Sequence, residues 1–77
     1  MPVESIEETA SKVRRSHDNS LAILFLALMD EDKRPDGHQV SCTPGDADIL
    51  NPYLRLYGVH LEQGRGTHIL RRHKNAA

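Results

Sequence analysis

Seventy-seven residues, 38% hydrophobic and 27% charged, make one small domain, 1–77, near the lower size at which a core holds without staples. The single cysteine, Cys42, excludes an intrachain disulfide and a four-cysteine zinc site, and it fits a reducing, cytoplasmic setting. The net charge of −1 hides an asymmetry: eight acids face five bases before residue 38, and three acids face five bases from there on, so the C-terminal half attracts anions.

The chain opens on a predicted helix. Val3, Ile6, Ala10 and Val13 recur at steps of three and four, Ser5 with Glu8 fits a reciprocal capping box, and His17 would extend the same stripe. Asp18-Asn19-Ser20 favours the start of a new helix over the middle of an old one, so a break is expected there. One long helix is the alternative, because the apolar positions also fit a 3.5-residue repeat.

Leu21 to Met29 is apolar on every side, which demands cover all round. A second copy of the chain supplies that cover in one reading, a homodimer through residues 21–29. In another the helix lies between helix 1 and the C-terminal hairpin, and an enclosed strand is the third option. Nine residues fall short of the roughly 20 that span a membrane. Acids near the start, Asp18 beside the run and the absence of a small-x-small cleavage site argue against a signal peptide.

Pro35-Asp36-Gly37 is a turn signature, His38 to Cys42 alternates like a short strand, and Thr43-Pro44-Gly45-Asp46 turns the chain again. One helical turn over Ala47 to Leu50 precedes Asn51-Pro52, which has the form of an N-cap followed by a first-turn proline. Pro52 to Tyr57 is then a short helix stopped by Gly58 in the left-handed conformation. Tyr53 and Tyr57 share a face and are expected in the core.

Val59 to Gln63 and Thr67 to Arg72 read as a hairpin around Gly64-Arg65-Gly66, with a frayed Asn75-Ala76-Ala77 tail. A two-residue turn would set Leu61 opposite His68; a three-residue loop would set Leu61 opposite Ile69. The choice decides whether His68 faces the core. The predicted class is therefore α+β: two N-terminal helices, a short strand, a short helix and a C-terminal β-hairpin.

Residues 53–66, from Tyr53 through Gly58 and Val59-His60-Leu61 to Gly64-Arg65-Gly66, resemble the end of a recognition helix and the wing of winged-helix DNA-binding domains. The resemblance implies a winged-helix-like fold with DNA contact by Arg55, Arg65 and Arg71. The helical piece after Pro52 is only about six residues, short for reading a major groove. Gly58 followed by Gly66-Thr67-His68 is also similar to the Gly-Ser-His segment of HicA-type toxins, which implies a ribonuclease with His68 as its catalytic histidine.

From the residues themselves, a glycine-flanked Arg65 at a hairpin tip brings a guanidinium to a phosphate, and Arg71, Arg72, His73 and Lys74 add charge beside it. Arg55 is a further candidate. The leading reading is a non-enzymatic module binding DNA or RNA through Arg55, Arg65, Arg71, Arg72 and Lys74. The alternative is a small protein-binding module or inhibitor acting through the apolar helix and the acidic Asp30-Glu31-Asp32 connector. A ribonuclease using His68 in acid-base catalysis, with His60 or His73, is the third. Cys42 has no neighbouring base and reads as a small buried residue. His38, Cys42 and the hairpin histidines lack paired close spacings, so no metal and no cofactor is expected.

Overall fold

The computed structural model describes residues 5–73; Val3, Lys74 and the Asn75–Ala77 tail lie outside the described residues. The first helix, α1 (Ile6–Ser16), opens on Ser5, whose hydroxyl accepts from the Glu8 N–H at 3.2 Å, the Ser5 half of the expected box. Thr9, Ala10 and Val13 form its buried side, with Ile6 packed beside them. The chain then breaks as expected. Asp18 accepts from the Leu21 N–H at 2.8 Å and N-caps α2 (Asn19–Leu28), so a single long helix does not form. His17 is left exposed at the break instead of extending the stripe.

Packed against α1 and α3 (Pro44–Leu54), α2 buries Leu21, Ala22, Phe25 and Leu28. Ile23 and Leu26 remain 59% and 42% exposed. No helix among the described residues is long and apolar enough to cross a membrane.

The start of α3 corrects the sequence expectation. Thr43-Pro44-Gly45-Asp46 is a helix N-terminus: Thr43 accepts from the Asp46 N–H at 3.1 Å, and Pro44 sits in the first turn. Pro52 lies inside the helix, exposed like Asp48 four residues before it. Asn51 does not cap a helix. Its carboxamide accepts from the Leu61 N–H at 2.7 Å and donates to the Leu61 carbonyl at 3.2 Å. A 3-10 turn, Arg55–Tyr57, follows, and Gly58 ends it at φ 72° as expected. Tyr53 and Tyr57 pack on the core, and the Tyr57 hydroxyl lies 2.6 Å from that of the buried Thr9.

Three antiparallel strands form one sheet in the order β1 (Gln39–Val40), β3 (His68–Arg72), β2 (Val59–Gln63). The expected five-residue first strand is shorter because Ser41 and Cys42 leave the sheet to reach the Thr43 cap. Pro35 to His38 turns as predicted, with the His38 N–H donating to the Pro35 carbonyl at 3.1 Å.

Neither expected hairpin register occurs. Leu61 pairs with Leu70 and Gln63 with His68, around the four-residue loop 64–67 closed by the Gly64 N–H on the Thr67 carbonyl at 2.8 Å. This register sets Val59, Leu61, His68 and Leu70 on one face with Val40, and all five are buried. A side chain at position 64 would bring a Cβ to 3.1 Å from the Thr67 carbonyl oxygen, a contact that the loop could meet only by shifting.

Helices and sheet thus close over one core. Phe25, Leu28, Leu50, Leu54, Leu70 and Val13 are its fully buried members, each worth roughly 1.5–3 kcal/mol of transfer free energy. The architecture is α+β with a C-terminal hairpin, as the sequence predicts.

Candidate functional site

Side chains alternate across the sheet, and the strand register decides which share its second face. His60 is opposite Arg71, and Glu62 is opposite Ile69, which is opposite Gln39. His73 extends the ladder, its N–H donating to the Gly58 carbonyl at 2.8 Å. None of these six residues is buried. The core occupies one side of the sheet, and this side is open.

Charge on the open face is organised around Glu62. Its Oε1 lies 3.2 Å from His60 Nε2 and 3.5 Å from Arg71 Nε. His60 Nδ1 in turn lies 2.7 Å from His73 Nε2, with the rings 18° from parallel and their centroids 4.7 Å apart. An ionised carboxylate only accepts, so His60 Nε2–H donates to Glu62, and one proton is shared between His60 Nδ1 and His73 Nε2. If both rings were cationic, donor would meet donor. Exposed ion pairs add at most about 1 kcal/mol, so the array positions charge more than it stabilises the fold.

The five basic candidates divide. Arg65 is exposed at the loop tip, and Arg71 lies on the open face. Arg55 is exposed at the end of α3, where Asp48, Asn51 and Pro52 line a shallow depression with it. Arg72 has the opposite parity to Arg71 and turns toward the helices. Its Nε donates to the Arg34 carbonyl at 2.8 Å, its Nη2 to the Leu28 carbonyl at 2.5 Å, and its backbone N–H to Asp36 at 3.0 Å. Lys74 is outside the described residues.

His68 sits on the core face at 6% exposure, and its Nδ1 is buried without a hydrogen-bond partner. An unsatisfied buried nitrogen costs about 1–3 kcal/mol. Replacing His68 with leucine is accordingly expected to raise the unfolding free energy by an amount on the order of 1 kcal/mol, read as a higher urea midpoint. A lower midpoint would mean that the imidazole finds a partner in solution.

Burial, and then the Asp46 carboxylate, push the Cys42 thiol above its ordinary pKa. That makes it a poor nucleophile. No group of three or more metal-ligating side chains forms among the described residues.

The sequence points to His60 as a companion to His68, and to His73 both in that role and as added charge beside Arg65, but not to Glu62 as a site residue. The spacing of His60 and Glu62, two apart on one strand, was the available signal. Pairing them with Arg71 and His73 required the register. No protein-family model, curated protein or solved structure matches this chain.

Proposed function

We propose that the protein is a non-enzymatic nucleic-acid-binding module whose phosphate contacts come from Arg65 and Arg71, with His60 and His73 beside them. The observation carrying this reading is the open sheet face: it holds Arg71 and both histidines on a rigid ladder, next to an exposed, glycine-flanked arginine. Phosphate contacts of this kind give affinity without sequence choice. The six described residues of the face include no Phe, Tyr or Trp, and its two imidazoles, His60 and His73, are engaged with each other, so base readout is a minor part of the proposal.

The exposed surface of α3 carries Asp48 and, at its end, Arg55, a poor match for a phosphate-lined major groove. The hairpin therefore takes the main role, as the wing does in the winged-helix resemblance. Arg72 supports it from within. A reading centred on His68 has less support, because a buried imidazole does not meet a substrate without rearrangement. A cytoplasmic setting belongs to the proposal and rests on the lone Cys42.

Titration of labelled single-stranded RNA and duplex DNA at low and moderate salt tests it. Binding that weakens with salt is expected, with Arg65→Ala and Arg71→Ala each lowering affinity several-fold and the salt slope by about one. Glu62→Gln should tighten binding, since the carboxylate competes with phosphate for Arg71. Arg55→Ala serves as a comparison expected to change little. Absent binding, or binding indifferent to salt and to both hairpin arginines, would refute the reading and favour a protein partner.

A further inference from the structure

A groove between α1 and α2 carries exposed apolar side chains on its α2 wall. Glu7, Ala10, Ser11 and Arg14 line it from α1, and Asn19, Ala22, Ile23 and Leu26 line it from α2. Positions 7, 10, 11 and 14 follow helical spacing, so they form one stripe with a negative end, a small-residue middle and a positive end. Ile23 and Leu26 stand beside that stripe at 59% and 42% exposure.

The geometry points to a homodimer in which two copies bring these grooves together around a two-fold axis that crosses both helices at right angles. The axis passes α1 midway between Ala10 and Ser11. It then sets α1 antiparallel to the α1 of the second copy, with Glu7 of each opposite Arg14 of the other and Ala10 opposite Ser11. The small pair lets the backbones approach closely.

On α2 the same operation sets Ile23 of each copy on Ala22 of the other, a large side chain over a small one. The result is a four-helix arrangement closed by two symmetry-related ion pairs. An axis running along the helices is disfavoured. It would lay α1 on the α2 of the second copy, placing the Glu7 charge over Leu26 and leaving Arg14 without an acid. The charge order along α1 therefore selects both the partner and the orientation.

This inference is independent of nucleic-acid binding, because its residues and the sheet face do not overlap. Analytical ultracentrifugation of the full chain tests it, with circular dichroism checking that each variant is folded. The wild type is expected at twice the chain mass. Glu7→Arg and Arg14→Glu should each weaken dimerisation by about tenfold, through loss of attraction and new like-charge contact at two places. The double variant carrying both changes should restore it, since the pairs re-form with their signs exchanged. Ile23→Asp, at an exposed position that leaves the core intact, should give a monomer. A wild-type monomer at the highest soluble concentration would overturn the proposal. So would a dimer insensitive to Ile23→Asp, or a double variant no better than the single ones.

Discussion

Arg72→Ala lowers the unfolding free energy by about 3 kcal/mol and the melting temperature by roughly 15 °C, while Arg72→Lys recovers less than half of the loss. The expectation follows from what the guanidinium holds. The last carbonyls of a helix lack partners within it, and α2 has no basic residue in its final turn. Arg72 supplies one from β3, donating to the Leu28 carbonyl and, through a second nitrogen, to the Arg34 carbonyl in the connector. Hydrogen bonds from a charged donor are worth about 1.5–3 kcal/mol each, partly offset here because water can reach a half-buried site.

Lysine places one ammonium where a rigid fork spans two acceptors. Urea denaturation followed by circular dichroism measures the effect, against a total of roughly 5–15 kcal/mol for a small domain. An unchanged midpoint would show that the fork does not hold the connector. Arg71, one residue earlier, predicts the reverse pattern: little change in stability and a loss of nucleic-acid binding. Measuring the two variants side by side separates a fault in the fold from a fault in the site.

Neighbouring arginines with opposite jobs illustrate what was legible in the sequence. That residues 71 and 72 face opposite ways follows from strand periodicity alone. Which of them faces outward depends on register, and local turn preference favoured shorter loops than the four residues observed. Burial excludes the three-residue loop, which would turn Leu70 and His68 away from Leu61; the two-residue turn would keep all of them on one face, and the observed pairing differs from it in setting Leu61 directly against Leu70.

The α1 cap, the break at Asp18 and the Gly58 stop were all readable, because each is a local hydrogen-bonding or steric effect. Helix 3 was harder. Thr43-Pro44 and Asn51-Pro52 carry the same signature of a capping side chain followed by proline, so nothing local ranks one above the other. The contest was settled ten residues away, at Leu61, where the Asn51 carboxamide is used. The Glu62-centred array was hidden for a related reason, since it joins two strands and the residue beyond the second.

The second large effect belongs to that carboxamide. β2 is an edge strand, and at Leu61 its N–H and C=O point away from β3 toward α3. Asn51 meets both with one donor and one acceptor, standing in for a neighbouring strand at a single position and covering part of an edge that would otherwise be open to other chains. Asn51→Ala is expected to cost about 2 kcal/mol, because two partly buried backbone groups lose their partners together.

Asn51→Asp should do no better. A carboxylate keeps the contact to the Leu61 N–H but sets a second acceptor against the Leu61 carbonyl, so the gain at one atom is cancelled at the other. Amide hydrogen exchange adds a local reading to the denaturation curve. In Asn51→Ala, protection at Leu61 should fall by more than at Leu70, whose N–H is held by the His38 carbonyl at 2.9 Å. Equal losses at the two amides would mean that the substitution weakens the domain as a whole, and that Asn51 acts through helix 3 instead of through the strand edge.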